Sequence, residues 1–288
     1  MDRPPGPADR TQARARVIAL FAALAAINGA AWIALLVAAR SFPMLLPLGV
    51  TAYVLGLRHA VDADHIAAID GTTRKLMHQG KPADSVGLFF SLGHSTIVIV
   101  LSVVVAAFGV GLKGHLPALQ SAGAMVGTWI SAIFLLVLAA ANAFVLIDLF
   151  RRPAGEADAQ LGGGPLSRFL QPALKLVNSS AQMYPVGVLF GLGFDTATEV
   201  ALLGISAASG VGGMPIAYIL ILPWLFTAGM SLVDTAEGYA IGRAYGWASI
   251  RPARKLLYNF NMTALTIALT LFVGAAQAAA AVRALIGK

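Results

Sequence analysis

The stretch MLLPLGVTAYVLGL at 44–57, followed directly by RHAVDADH at 58–65, decides how this sequence folds. Two imidazoles and two carboxylates, His59, Asp62, Asp64 and His65, follow an apolar run of the kind that enters a membrane. Ionisable groups at membrane depth are costly unless they are paired, hydrated or bound to an ion, so they are functional candidates. Histidine and aspartate supply the nitrogen and oxygen ligands of divalent transition metals. The stretch therefore predicts a metal path inside a membrane.

The composition supports a membrane setting. The chain has 288 residues, of which 58% are hydrophobic and 11% charged, with a mean hydropathy of +0.78. A soluble domain carries about 25% charged residues, so we expect an all-α, polytopic membrane helix bundle. The chain contains no cysteine, which excludes disulfides, thiolate metal sites and cysteine nucleophiles.

Seven apolar stretches are long enough to cross about 30 Å of hydrocarbon as helices. They lie at 17–39, 43–70, 84–112, 121–150, 184–208, 214–242 and 256–284. The predicted organisation is a disordered cytoplasmic tail at 1–15, spans one to four within 16–150, a cytoplasmic linker at 151–182, and spans five to seven within 183–288.

The basic residues sort by side under this assignment. Fifteen of the 20 lysines and arginines fall on one predicted side and four on the other, while Arg58 lies within a span. Because cytoplasmic loops are enriched in Lys and Arg, the amino terminus is predicted to be cytoplasmic and the carboxyl terminus outside. The net charge of +7 then follows from topology, and no nucleic-acid partner is expected.

The second predicted span offers two alternative ligand sets. At about 100° per residue, Asp62 falls between His59 and His65 on one helix face, whereas Asp64 points away unless the helix is kinked. The third span adds His94 beside Gly93, which would permit close approach of a neighbouring helix. A structural salt-bridge cluster is the alternative interpretation of the charged residues.

Two further spans carry acidic pairs at helical spacing. Asp195 and Glu199 are four residues apart in the fifth span, and Asp234 and Glu237 are three apart in the sixth. Residues at these spacings share a helix face, and two ionised carboxylates in a dry site require a cation between them. The sequence Asp-Thr-Ala followed closely by Glu occurs in both spans and hints at an internal repeat.

Four motifs make the chain resemble the nickel/cobalt transporter (NiCoT) family of membrane permeases. The family's His-x4-Asp-His motif matches His59, Asp64 and His65, and its Phe-x-x-Gly-His-Ser motif matches 90–95. The remaining two motifs match 192–199 and 229–235. The resemblance implies uptake of Ni²⁺ or Co²⁺ as substrate across the bacterial inner membrane. It also implies that Asp64 matters, which an ideal helix does not explain, so the helix is predicted to bend there.

The resemblance also leaves departures. Family members are usually described with eight spans, so the seven predicted here indicate a short form. Glu237 stands where aspartate is more usual, and Gly71 replaces a residue that is often polar.

Secondary uptake of a divalent metal is the leading functional hypothesis, with the lipid bilayer and the ion as partners and no cofactor or enzymatic activity. No phosphate-binding Gly-x4-Gly-Lys-Ser/Thr loop is present, so no ATPase subunit is implied. Efflux by a related permease is the alternative; such exporters often carry a histidine-rich cytoplasmic loop, and 151–182 contains no histidine. An intramembrane metallohydrolase is a remote alternative, because the expected His-Glu-x-x-His helix is missing.

Overall fold

A computed structural model describes residues 7–112, 177–192, 196–248 and 252–286, together with single residues between 129 and 143. Every regular element in this part of the chain is helical. The nine α-helices described are α1 (Pro7–Ala38), α2 (Leu45–His59), α3 (Ala63–His78), α4 (Val86–Leu112), α5 (Met183–Gly191), α6 (Ala197–Val211), α7 (Ile216–Ile219), α8 (Ile221–Ala248) and α9 (Pro252–Ile286). A 3₁₀ turn at Ser180–Gln182 precedes α5.

Within the described residues, three helical segments are long and apolar enough to cross a membrane: Thr11–Ala38, Val86–Ala107 and Ile216–Ala248. The shortest has 22 residues and is about 33 Å long at 1.5 Å per residue, which matches the hydrocarbon thickness. The all-helical membrane architecture predicted from composition is confirmed. These segments correspond to the first, third and sixth predicted spans, whereas the predicted fourth span falls almost wholly outside the described residues.

The second predicted span is two helices, because α2 ends at His59 and α3 begins at Ala63. Asp62, the residue before α3, has an extended backbone with φ −70° and ψ 144°. The predicted bend in this segment is therefore confirmed, and a continuous helix over 43–70 is wrong. The fifth predicted span is also divided, between α5 and α6, where Thr196 is extended at ψ 139°.

The amino-terminal tail also differs from expectation. Helix α1 begins at Pro7, so residues 7–15, predicted to be disordered, are helical. Proline favours the first position of a helix because it lacks the N–H that would stay unpaired there. The alanines, arginines and glutamine that follow have high intrinsic helix propensity. The prediction of disorder for these residues, which was based on their polarity, is wrong from Pro7 onward.

Helix α8 is the central element of the bundle. It packs against α1, α2, α3 and α4, and its buried residues include Phe226, Met230 and Asp234. Helix α4 packs in turn against α5 and α6. The two divided helices and α4 therefore meet beside α8, deep in the bundle.

Glycines set the distance between α4 and α5. A Cβ atom on Gly93 would lie 2.0 Å from the carbonyl oxygen of Tyr184, and one on Gly187 would lie 2.0 Å from that of Phe90. Since such contacts are impossible, each glycine lets the facing backbone come close. The predicted role of Gly93 is confirmed, and the contact holds its neighbour His94 against α5.

Most of the predicted linker at 151–182 lies outside the described residues, and its last part packs on the bundle. Lys75 Nζ donates a hydrogen bond to the carbonyl oxygen of Val177 at 2.8 Å. Ser180 Oγ donates to the carbonyl oxygen of Pro82 at 3.0 Å. The chain is thus anchored to the α3 helix and the following loop just before α5 begins.

Candidate metal site

Three buried histidines from three helices meet at one point. His59 ends α2, His65 lies in the first turn of α3, and His94 lies on α4. Their side chains are 1%, 0% and 3% exposed. One possible ligand atom from each residue lies within 4.8 Å of the other two. We call these three residues the histidine cluster.

The break between α2 and α3 makes this cluster possible. In a regular helix, six residues advance about 9 Å along the axis, which would separate His59 from His65. The extended backbone at Asp62 instead brings the two imidazole rings to a centroid distance of 4.6 Å. Both rings also lie within 4.9 Å of the ring of His94. The site is therefore a product of the helix break.

A carboxylate from α6 joins the histidine cluster. Glu199 Oε1 lies 2.9 Å from Nε2 of His94 and 3.9 Å from Nε2 of His59. These two imidazole nitrogens are themselves 2.9 Å apart, so one of them carries a hydrogen unless a cation lies between them. Three imidazoles and a carboxylate form a donor set suited to a divalent transition metal.

Oxygen atoms lie behind two of the three rings. Asp62 Oδ2 is 3.2 Å from Nδ1 of His59, and Asp234 Oδ1 is 3.3 Å from Nδ1 of His65. Metal-bound histidines usually donate their second N–H to such an acceptor, which fixes the ring and its tautomer. With Nδ1 of His59 and of His65 facing these oxygens, the Nε2 atoms of the same two rings can face an ion.

A buried nitrogen without a partner supports this interpretation. Nε2 of His65 and Nδ1 of His94 have no hydrogen-bond partner among the described residues. Buried polar atoms are almost always paired in proteins. His94 faces the cluster through Nε2, so the unpaired nitrogen that points to a bound ligand is Nε2 of His65, whose Nδ1 lies against Asp234.

Of the nine predicted site residues, four lie together, two contact them from outside, and the remaining three are described one by one. His59, His65, His94 and Glu199 lie together, while Asp62 and Asp234 contact the outer nitrogens of the histidines. Asp64 is half-buried and accepts a hydrogen bond from the backbone N–H of His65 at 3.0 Å. Glu237 follows Asp234 by three residues on α8. Asp195 lies outside the described residues, so its predicted role stays a prediction.

Sequence reasoning missed the aromatic wall of the site. Phe90 stands edge-on to His65 with ring centroids 4.8 Å apart, and Phe226 lies 5.4 Å from the ring of His59. Both phenylalanines are fully buried, so they exclude water from two sides of the histidine cluster. Phe90 belongs to the Phe-x-x-Gly-His-Ser motif and was therefore open to prediction, whereas Phe226 carries no comparable signal.

A structural ion pair, the alternative interpretation of the charged residues, is present in another part of α3. Arg74 Nη2 lies 2.5 Å from Asp70 Oδ2, and both side chains are buried. At the break, Arg58 pairs with Asp62, so that carboxylate contacts both an arginine and His59. Ion pairing therefore accompanies the histidine cluster and does not replace it.

The fold and the site define a helical membrane protein with a buried group of three histidines and a glutamate, a donor set that suits a divalent metal. A family model described as a high-affinity nickel-transport protein matches residues 45–286. The chain belongs to this family, whose members are transport proteins and not enzymes.

Individual relatives agree with the family. The chain is 46% identical over 272 residues to a high-affinity nickel transport protein of Cupriavidus necator, covering 91% of this chain and 78% of that protein. It is 45% identical over 240 residues to the high-affinity nickel-transport protein NixA of Helicobacter pylori, covering 77% and 71%. The cobalt transport protein NhlF of Rhodococcus rhodochrous is 44% identical over 238 residues, covering 78% and 68%. No solved structure matches the chain.

Proposed function

We propose that this chain takes up Ni²⁺ or Co²⁺ through the bacterial inner membrane as a secondary permease. The observation that carries the proposal is the histidine cluster with Glu199, four donors buried among apolar helices. Names of the related proteins refer to nickel and to cobalt transport. Both ions accept imidazole and carboxylate ligands, so either ion suits this donor set.

In this proposal His59, His65, His94 and Glu199 hold the ion. Asp62 and Asp234 orient the imidazoles from behind, at 3.2 and 3.3 Å from their Nδ1 atoms. Asp64, Asp195 and Glu237 are further carboxylates on the way into or out of the site. Geometry and ligand type must provide the selectivity, because intrinsic affinity would favour Cu²⁺ over either substrate.

The topology proposed for this function has seven spans, with the amino terminus in the cytoplasm and the carboxyl terminus outside. The distribution of fifteen basic residues against four supports it. The proposed division places four spans before the cytoplasmic linker at 151–182 and three after it. Because the chain has no cysteine, single cysteines placed at Arg40 and Arg243 would test the two sides by labelling with a membrane-impermeant reagent.

The membrane potential is the proposed driving force. An inside-negative potential favours inward movement of a dication by about 4.6 kcal/mol per 100 mV, twice the value for one charge. The chain carries no phosphate-binding loop, and the proposed uptake uses neither ATP nor a partner ATPase. Efflux has no feature in its favour, since the predicted linker lacks histidine.

Accumulation of ⁶³Ni²⁺ in cells tests the proposal. Cells that express the wild type should accumulate more ⁶³Ni²⁺ than cells with empty vector, and His59→Ala, His94→Ala or Glu199→Gln should abolish the difference. His78→Ala is a matched control, because this position lies about 20 Å along α3 from His65. Accumulation below the empty-vector level would favour efflux, and equal accumulation by wild type and His59→Ala would refute the proposed site.

A further inference from the structure

Two threonine hydroxyls connect Glu199 to His59 by a route outside the histidine cluster. Thr196 Oγ1 donates a hydrogen bond to Glu199 Oε2 at 2.8 Å and lies 3.2 Å from Oγ1 of Thr198. Thr198 Oγ1 lies 3.1 Å from Nδ1 of His59. Thr198, Glu199 and His59 are 8%, 1% and 1% exposed. Thr196 is half-buried, so three of the four members of the connection lie in the protein interior, where a hydrogen bond competes little with water.

The direction of these hydrogen bonds follows from the number of hydrogens available. Each threonine hydroxyl has one hydrogen, and an ionised carboxylate can only accept. Because the hydroxyl of Thr196 donates to Glu199, the contact between the two hydroxyls must be donated by Thr198. The hydroxyl of Thr198 can then only accept at His59. Nδ1 of His59 must therefore carry the hydrogen.

This direction decides which nitrogen of His59 can bind a metal. A neutral imidazole carries hydrogen on one nitrogen and a free electron pair on the other. With the hydrogen on Nδ1, the electron pair is on Nε2, the atom that lies 2.9 Å from Nε2 of His94. Asp62 Oδ2, at 3.2 Å from Nδ1, favours the same tautomer. Thr196 Oγ1 also lies 3.4 Å from Nδ1, so His59 has three neighbouring oxygen acceptors, of which Thr198 and Asp62 are the nearer two.

We propose that Thr196 and Thr198 are positioning residues of the transport site, which hold His59 in the tautomer that presents Nε2 and hold Glu199 with Oε1 toward the ion. This inference rests on the proposed uptake function. It assigns a role in metal binding to two side chains that themselves lie behind the ligands.

Helix capping alone does not account for both threonines. Thr196 caps α6, since its hydroxyl accepts a hydrogen bond from the backbone N–H of Glu199, and serine or asparagine would serve equally well there. Thr198 lies inside the first turn of α6 and its hydroxyl takes no part in the cap. Removing the hydroxyl of Thr198 therefore tests the positioning role without disturbing the helix cap.

Substitutions at Thr198 test the inference in the full-length protein. Thr198→Val keeps the shape of the side chain and removes the hydroxyl, while Thr198→Ser keeps the hydroxyl. Loss of a hydrogen bond behind a metal ligand lowers affinity by about 10- to 100-fold. Because Asp62 and the more distant Thr196 remain as acceptors, we expect Thr198→Val to raise the KM of ⁶³Ni²⁺ uptake only about tenfold. Thr198→Ser should keep the wild-type KM.

A buried threonine elsewhere provides the matched control. Thr227 Oγ1 donates to the backbone carbonyl oxygen of Pro223 on its own helix at 2.8 Å, so Thr227→Val removes a buried hydroxyl without touching the histidine cluster. Its KM should equal that of the wild type. Uptake rates are normalised to the amount of each variant in the membrane, which separates poor folding from weak binding.

A second measurement reports the tautomer directly. The chain has five histidines, and ¹⁵N spectra of histidine-labelled, purified protein distinguish Nδ1–H from Nε2–H rings. His59, identified by comparison with His59→Ala, should be in the Nδ1–H form in the wild type. Thr198→Val should show a smaller fraction of that form.

An unchanged KM and tautomer in Thr198→Val would overturn the inference. So would a Thr198→Ser variant as impaired as Thr198→Val, because the effect would then come from packing of the methyl group. If Thr198→Val does not reach the membrane, Thr198→Ala is measured against Thr198→Ser by the same criteria. Failure of the proposed function is distinct: the wild type itself would then accumulate no more ⁶³Ni²⁺ than empty vector, whatever the tautomer of His59.

Discussion

Replacing Gly93 by alanine should disable the metal site although the side chain gains only one methyl group. The new Cβ would lie 2.0 Å from the carbonyl oxygen of Tyr184, and ordinary van der Waals contact begins at 3.4 Å. Helices α4 and α5 must therefore move apart by about 1.4 Å. The obstacle is backbone on the facing helix, so no side-chain rotation relieves it.

This displacement is large compared with a metal–ligand bond. His94 is the next residue after Gly93, so its imidazole moves with the α4 backbone. Metal–imidazole distances are about 2.0–2.1 Å, and a shift of about 1.4 Å would take the nitrogen beyond that range. Losing one ligand from the donor set should raise the KM of uptake by at least about tenfold, since even disturbing the support of a ligand has that effect.

Uptake of ⁶³Ni²⁺ at graded concentrations measures this effect, with the amount of protein in the membrane determined in parallel. Gly204→Ala is the matched control, because a Cβ on Gly204 of α6 meets no atom within 4 Å. That variant should have the wild-type KM and a slightly more stable helix, since alanine is favoured over glycine in helix interiors. A wild-type KM in Gly93→Ala, at a normal protein level, would refute the argument that close approach of α4 and α5 positions His94.

Three further outcomes are expected. Asp234→Ala should raise the KM for ⁶³Ni²⁺ about 10- to 100-fold, because Nδ1 of His65 loses its acceptor oxygen at 3.3 Å; an unchanged KM would exclude an orienting role. Tyr53→Phe should lower stability in detergent by about 0.6 kcal/mol, the average for such bonds in membranes, because the hydroxyl loses Asn28 Oδ1 at 3.0 Å, while the uptake KM stays the same. Collapsing the membrane potential with valinomycin and potassium should abolish concentrative uptake, since 100 mV is worth about 4.6 kcal/mol to a dication; persistent accumulation would indicate another energy source.

The sequence predicted the histidine cluster but not where each carboxylate lies around it. His59, His65 and His94 were found because imidazoles are conspicuous in apolar segments. A helical wheel placed Asp62 between two histidines as a ligand, and the structure places it behind His59 instead. The wheel failed because it assumes a regular helix, whereas the backbone at Asp62 is extended. Contacts across a break depend on the tertiary structure.

The expected internal repeat shows the same limit. The sequences around Asp195–Glu199 and Asp234–Glu237 look alike, yet α8 runs unbroken through the second of them. The positions that do correspond in the structure are the two helix breaks, one before α3 and one before α6. Asp62 and Thr196 are the residues before α3 and α6, and His65 and Glu199 each follow three residues later. Equivalent backbone positions thus supply chemically different ligands, which a search for similar letters does not detect.

The helix breaks also place the buried ligands on separate segments of backbone. His59 and His65 belong to separate helices joined by residues 60–62, and Glu199 lies in the first turn of α6, which is separate from α5. Each of the short helices α2, α3, α5 and α6 can therefore shift as a unit, which would change the distances between ligands without breaking the backbone hydrogen bonds of that helix. In a continuous helix the same change would require unwinding, and unpaired backbone groups are costly in an apolar layer. Transport needs binding that is strong enough to capture the ion and weak enough to release it. Ligands on separate short helices suit both requirements, because a shift of one such helix would change the distances between the donor atoms.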